Sequence, residues 1–458
     1  MTTQPTQPTP APGPVRPGAG AGATPSTRQP SATAPAPTGS AAGVAPDAAV
    51  PRVPSVPSDG ARPPVRTWAV DDLPALEFDP LLAELLHNEP VARIRLPFAG
   101  DHEAWLVTRY ADVKLITSDP RFSRTALVDA TVTAMSGHRV ASPAGLNYAD
   151  PPYHTRLRKI VNRAFTGQHV KRLRPMAQQT AGELLDAMAD QGSPADLMTH
   201  LHGPLPLSVV CDLLGIAEEE RARLSDWPDV ILSAGRGTAA SNAAKAEITA
   251  YLTDLLRGRF DSDTDDLAAV LAQAWRAGDI NEAEAVSLAT AILVSGAHAV
   301  RNNSANMVYT LLIRPDLLAR LRAEPALLPA AVDELLRHIP HRNGVGLPRI
   351  ATEDVEVGGV LIRAGEAVYA SYLAANRDPE VFPDPDTIDF DRTGAAHLSF
   401  GHGPHHCMGA MLARMESEVM LAALLDRFPS LRLAVPAEEI VWQRKAFIRG
   451  PRELPVAW

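Results

Sequence analysis

The sequence predicts a mainly α-helical protein with small β regions, on three observations. Apolar residues recur at helical spacing in long runs, such as LLAELLHN at 81–88 and MGAMLARMESEVMLAALLDRF at 408–428. One such run, about 280–313, is far longer than an ordinary surface helix. Two-residue alternation is confined to short runs near the two ends of the foldable chain.

In chain order, residues 1–66 are Pro, Ala, Thr, Gly and Ser with few charges and no aromatic side chain. Such a stretch buries too little apolar surface to offset its own chain entropy, so it is read as a disordered tail. Trp68 opens the foldable sequence, and 67–458 is read as one domain. Asp79-Pro80 caps a short helix. VARIRLPF and EAWLVT form a hairpin around AGDH, and YADVKLITSD is helical. Thr125 to Asn147 lacks periodicity and is read as a loop. Helices follow over 152–165, 170–190, 205–215, 218–233, 241–259, 280–313 and 325–338. Short strands are expected at VEVGGVLI and AVYAS. An Asp- and Pro-rich loop, RDPEVFPDPDTIDFDR, then leads to FGHGPHHCMGA at 400–410, a last long helix and closing strands.

The net charge of −10 argues against a nucleic-acid binder, which needs a basic surface to replace phosphate counterions. Two cysteines, Cys211 and Cys407, exclude a disulfide scaffold and suit a reducing compartment. There is no signal-peptide core and no run of about 20 apolar residues, so a monomeric, cytoplasmic protein with no membrane span is expected.

FGHGPHHCMGA poses the chemical question. Cys407 is a spare thiol, one ligand of a zinc cluster, or an axial haem ligand. Structural zinc draws paired ligands from separate loops, whereas His402, His405, His406 and Cys407 crowd into six positions. The inert-thiol reading suits Cys211 better, inside a helix after SVV. Gly401 and Gly403 allow tight backbone geometry before Cys407, and Gly409 leaves room for a flat ligand after it. Cys407 precedes a helix, where free N–H groups are expected to lower a thiol pKa. A shielded thiolate there suits haem iron.

FGHGPHHCMG resembles the haem-binding signature of the cytochrome P-450 family. Glu334-Leu335-Leu336-Arg337 resembles that family's E-x-x-R, and Arg392, closing FPDPDTIDFDR, resembles the third member of its ion-pair triad. The resemblance covers roughly 67–458 and implies a helical prism with haem b between the long helix and the helix after Cys407. It implies Cys407 as iron ligand, with Phe400 and Gly409 at the haem. Glu334, Arg337 and Arg392 then hold the cysteine loop in place. His154 and Arg158, at i and i+4 on one helix face, together with Arg349 and His405, match the family's propionate ligands.

The long helix departs from the family pattern. Family members place Gly, any residue, an acid and Thr there, and the acid and alcohol guide protons. This chain reads Ser295-Gly296-Ala297-His298-Ala299-Val300-Arg301-Asn302. His298 stands at the acid position and Ala299 at the alcohol position. An alanine donates no hydrogen bond, so proton delivery falls to His298, Ser295, Asn302, water or the substrate. Family members that couple aromatic rings often lack this alcohol. The expectation is therefore radical C–C or C–N coupling of phenol- or indole-bearing natural products, cyclic dipeptides included. A conventional hydroxylase and a haem protein without turnover are the alternatives.

Pocket lining is expected from the loop after Phe122, the segment near Trp227, Ser295, Ala299, Asn302, the stretch 343–347 with Val345, and 443–447. Electrons are expected from a ferredoxin and its reductase. Arg156, Lys159, Arg163 and Arg414 are read as a basic patch for that acidic partner.

Overall fold

Local signals start each helix where the sequence supplies a cap, and tertiary packing decides the rest. Asp79 accepts from Leu81 N at 2.9 Å and opens α1 (Pro80–Asn88). α2 (Tyr110–Ser118) and α3 (Tyr153–Val161) follow. Thr166 caps α4 (Gly167–Gln191). Then come α5 (Pro204–Leu214), α6 (Glu218–Leu224), α7 (Thr238–Gly258) and α8 (Leu267–Arg276). A capping box between Asn281 and Glu284 starts α9, the long helix Glu282–Leu312. α10 (Pro315–Ala323), α11 (Leu328–His338), α12 (Tyr372–Ala375) and α13 (Ala410–Arg427) complete the set.

This is a computed structural model. It describes residues 62–68, 73–98, 100–135, 145–224, 238–342, 345–444, 446 and 448–458. All of them belong to one unit, Pro54–Trp458. Most of the expected tail, part of the 125–147 loop, the second half of the helix expected over 218–233, and Trp227 lie outside the described residues.

The strands are β1 (Val65–Thr67), β2 (Val91–Arg95), β3 (Ala104–Val107), β4 (Phe122–Ser123), β5 (Ala195–Asp196), β6 (Arg349–Ala351), β7 (Val355–Val357), β8 (Val360–Ile362), β9 (Ala367–Ala370), β10 (Arg432–Leu433) and β11 (Pro455–Ala457). The largest sheet has the order β1-β2-β3-β9-β6-β4. The expected hairpin is β2 and β3, antiparallel with Val91 opposite Val107. β1 pairs in parallel with β2, so Val65 and Arg66, assigned to the tail from sequence, form strand. β6 pairs antiparallel with both β9 and β4.

Three helices escaped the sequence reading, α8, α10 and α12. All are short and follow a cap or a proline: Asp266 accepts from Ala269 N at 2.8 Å, Pro315 stands in the first turn of α10, and Ser371 accepts from Ala374 N at 3.2 Å. α9 runs through the largest apolar cluster and packs on α5, α7, α8 and α13. It is long and apolar enough to cross a membrane, against the expectation that no such stretch exists. Its burial among these helices makes it the core helix of the fold. α13 packs along α4 on the other side and carries the cysteine loop at its start.

Candidate functional site

The cysteine loop is built from backbone bonds that only its glycines allow. Gly401 and Gly403 have φ of +76° and +74°, in the left-handed region. A Cβ on Gly403 would fall 2.3 Å from the Thr117 carbonyl oxygen, so the loop lies directly against the end of α2. Cys407 N donates to Phe400 O at 2.8 Å, and His406 N donates to Gly403 O at 3.0 Å. The three histidines diverge. His402 Nδ1 meets the Thr117 hydroxyl at 3.2 Å, His405 packs at a tilt against His154 with centroids 4.4 Å apart, and His406 lies against Phe400. They do not converge with Cys407 on a common point.

Cys407 keeps an accessible surface, yet its sulfur is closely ringed by protein. That surrounding pushes the thiol pKa up, with the Gly409 N–H, Arg158 and Arg414 acting the other way. This corrects the expectation that the helix N-terminus holds a thiolate by itself. α13 starts only at Ala410, and desolvation outweighs its N–H groups. A bound metal removes the proton outright.

Above the loop lies a group of cations with little to answer them. β4 and β6 pair with Ser123 opposite Ile350, and Arg124, just past the end of β4, lies close enough to Arg349 for the two charges to act on each other. Both are buried, at 9% and 2% exposed. Both Arg349 guanidinium NH2 groups lack a hydrogen-bond partner among the described residues, as does His154 Nε2. Burial, then the Arg349 charge, brings the Arg124 pKa down to about 9. Burial, then Arg158 and Arg124, lowers His154 to about 4. Burial, then Arg124, His154, Arg349 and Arg158, lowers His405 to about 2. The carboxylate closest to hand, Asp150, is taken by the Ser123 hydroxyl and the Arg124 and Thr125 N–H groups. Like charges buried close together are destabilising unless an anion joins them. Two buried propionates would supply that anion, so the residues present fit haem. Arg349, His154 and His405, expected from sequence to hold the propionates, all belong to this group. Arg158 reaches the Pro404 carbonyl at 3.1 Å and the His406 carbonyl, and so ties α3 to the cysteine loop.

Arg124 was missed from the sequence. Its meaning depends on where the end of β4 falls against β6, and it stands one residue before the stretch read as a loop.

Glu334 and Arg337 form the expected buried pair. Arg337 Nε and Nη2 each donate to a Glu334 oxygen at 2.7 Å, and Arg392 Nε joins at 3.1 Å. Burial raises the Glu334 pKa, but the Arg337 bonds, the Asp389 N–H and the two cationic charges leave it below the usual range. The connection to the cysteine loop runs through a second missed residue, Asn376, which is fully buried. Its carbonyl accepts from Arg337 at 2.9 Å. Its side chain takes the Leu398 N–H at 2.6 Å and donates to Ser399 Oγ at 2.8 Å. Phe400 and the loop follow at once.

On α9, Ser295 is exposed and Gly296 and Ala299 are half-buried, an accessible stripe on a mostly buried helix. His298 and Asn302 are buried. The Asn302 amide is engaged by Ile448 O at 3.2 Å and by Gln443 Nε2 at 3.1 Å, both protein groups. Val345 packs at 2% exposure in the cluster with Ile350 and Tyr369. Residues 343, 344, 445 and 447 lie outside the described residues. The expected basic patch is reduced. Arg156 is paired with Glu284, and Arg414 with Asp333, while Lys159 and Arg163 remain exposed.

A helical fold with a glycine-shaped cysteine loop facing buried, anion-seeking arginines defines a haem-thiolate protein. The chain belongs to the cytochrome P450 family. The family model, Cytochrome P450, matches residues 259–433. The chain is 48% identical to a biflaviolin synthase of Streptomyces coelicolor, over 86% of this chain and 97% of that protein. It is 43% identical to a mycinamicin IV hydroxylase/epoxidase of Micromonospora griseorubida, over 86% and 98%. A crystal structure of cytochrome P450mel 107F1, described as having biaryl coupling reactivity, superposes with a TM-score of 0.82 at 45% identity, covering 86% of this chain and all of that one. The protein is a P450 monooxygenase of bacterial secondary metabolism whose cofactor is haem b.

Proposed function

We propose that this enzyme joins two electron-rich aromatic rings, phenolic or indolic, by radical C–C or C–N coupling. The observation that carries this reading is Ala299: the accessible stripe of α9 has no hydroxyl at the position where oxygen insertion is helped by one. The likeness to a biflaviolin synthase and to a P450 with biaryl coupling reactivity supports it, and favours a phenolic substrate such as flaviolin over an indole or cyclic dipeptide. Bound haem supplies the oxidising power, drawing on O2 and two electrons. The overall balance is two ring C–H groups, O2, two electrons and two protons giving one ring–ring bond and two waters.

In this reading Cys407 ligates the iron beside Phe400 and Gly409. Arg124, Arg349, His154 and His405 bind the propionates, and Arg158 stiffens the loop between them. Glu334, Arg337 and Arg392 hold the loop through Asn376. His298, with Ser295 and Asn302, delivers protons, and Ala299 and Val345 border the substrate. A cytoplasmic ferredoxin and its reductase supply electrons, with Lys159 and Arg163 as contacts for the acidic partner.

Hydroxylation is the second reading, favoured by the likeness to a mycinamicin IV hydroxylase/epoxidase. Turnover of flaviolin with ferredoxin, its reductase, NADPH and 18O2 separates the two. Coupling gives a dimer without label. A labelled monomer as sole product overturns the proposal.

A further inference from the structure

Three segments meet at Asn302. The side chain is fully buried on α9, one turn after His298. Its Nδ2 donates to Ile448 O at 3.2 Å and lies 3.4 Å from His298 Nδ1. Its Oδ1 accepts from Gln443 Nε2 at 3.1 Å, and the same Gln443 nitrogen donates to Pro451 O at 3.2 Å. A Cβ on Gly450 would fall 2.7 Å from the Asn302 side chain, so the C-terminal segment is pressed onto the amide. One turn on, Asn306 Nδ2 donates to Arg449 O at 2.9 Å and fastens the same segment again.

The chain of bonds has a direction. A main-chain carbonyl oxygen only accepts. Ile448 O therefore requires the NH2 group of Asn302, and Pro451 O requires the NH2 group of Gln443. Turning either amide over would set an amide oxygen against a carbonyl oxygen at 3.2 Å. Both orientations are fixed by the two carbonyls at the ends. The group that Asn302 shows to His298 is thus a donor. A ring nitrogen facing a donor must offer its lone pair, so the hydrogen of the neutral imidazole sits on Nε2.

We infer that Asn302 is a positioning residue that sets the tautomer of His298, held in turn by Gln443 and the Ile448 and Pro451 carbonyls. The inference rests on the proposed role of His298 in proton delivery and gives that role a polarity. At Nε2 the ring meets its surroundings as a donor. An acid at 298 would need no such control, because a carboxyl has no tautomer of this kind. The imidazole does need it.

The test is nitrogen NMR of 15N-histidine-labelled holoenzyme in the diamagnetic reduced, carbon-monoxide-bound state, with the His298 signals assigned by their loss in His298→Gln. The wild type is expected to show a lone-pair shift at Nδ1 and a protonated shift at Nε2. In Asn302→Asp the donor becomes an acceptor, and Nδ1 becomes protonated. In Gln443→Leu the lock on the amide is lost, and both tautomers appear. A wild-type ring protonated at Nδ1 overturns the inference. So does an unchanged Nε2–H tautomer in both variants. If Asn302→Asp does not take up haem, the wild type and Gln443→Leu still decide. Electron partition reads the underlying role separately: His298→Gln should send at least several-fold more electrons to peroxide. Unchanged partition beside the expected tautomer removes proton delivery by His298 and leaves the positioning intact.

Discussion

Arg337 grips Glu334 through two parallel bonds of 2.7 Å each, with both side chains almost wholly withdrawn from water. The pair sits one residue from the backbone that leads into the cysteine loop: Arg337 donates to Asn376 O, and the Asn376 side chain holds Leu398 and Ser399. Glu334→Ala would strand Arg337 and Arg392 without their carboxylate. Removing one partner of such a buried pair costs about 3–5 kcal/mol. The expected outcome is protein that purifies without haem. The haem-to-protein ratio checks it, and a normal ratio would remove the triad from the account of the cysteine loop.

Arg124 and Arg349 make a prediction of two signs. Buried close together, they repel when no anion lies between them and bind one when it does. Arg349→Met keeps the bulk and removes one charge. The haem-free variant should melt at or above the temperature of haem-free wild type. The haem-loaded variant should lose haem about ten to a hundred times faster, for a charged hydrogen bond of about 1.5–3 kcal/mol. Haem transfer to an acceptor globin and thermal melting read the two halves. Equal destabilisation of both forms would mean a packing role only.

How much of this was legible in the sequence follows from where each signal resides. Cys407, Glu334 and Arg337 lie in short contiguous patterns whose meaning is local. The helices α4, α9 and α13 declare themselves by long apolar periodicity. Arg124 and Asn376 carry no local pattern. One acquires its role from its closeness to Arg349 in the fold, the other from bonds that join the stretches before and after it, and neither is visible before the chain is folded. The Cys407 thiol was misjudged for a related reason. Its distance from the first turn of α13 and its crowding by the loop are three-dimensional facts that motif spacing does not hold.

Gly403→Ala tests how finely the loop is fitted to α2. The residue has φ +74°, and an added methyl would sit 2.3 Å from Thr117 O, a backbone atom that cannot swing away. The left-handed conformation alone costs an alanine about 1–2 kcal/mol. The loop must shift, and with it the sulfur. The reduced, carbon-monoxide-bound spectrum should lose its thiolate signature while the far-UV helix signal stays. An unaltered spectrum would show that the contact is not needed to aim Cys407.

His202 predicts behaviour in acid. It is fully buried, with Nδ1 at 2.8 Å from Ser304 Oγ, and burial lowers its pKa to about 3. His341 is likewise lowered to about 3 by burial first and the Arg342 charge next. A depressed pKa means that the folded state binds fewer protons than the unfolded one, whose histidines titrate near 6.5. The stability these residues contribute is whole above pH 6.5 and is lost as pH falls toward their folded values. Tm should therefore decline from about pH 6.5 downward, before most carboxylates titrate. His202→Asn, which has no such proton to take up, should flatten part of that decline. A slope identical to wild type between pH 6.5 and 5 would show that His202 protonates without opening the fold.

Ala299→Thr addresses the reaction itself. The position lies on the accessible stripe of α9 with Ser295, so a hydroxyl there has space and neighbours. The substitution costs the helix no more than about 0.7 kcal/mol of propensity, and haem content should hold. If the missing alcohol is what disfavours oxygen insertion, restoring it lowers that barrier relative to coupling. A change of about 1.4 kcal/mol moves the ratio of oxygen-inserted monomer to coupled dimer tenfold. Peroxide released per electron should fall together with it, because the same group would carry the proton that both outcomes compete for. Chromatographic product ratios and peroxide assays on one set of turnovers read both quantities. A ratio unmoved in a fully haem-loaded Ala299→Thr enzyme would place the choice between coupling and insertion elsewhere, in how the pocket holds two rings face to face.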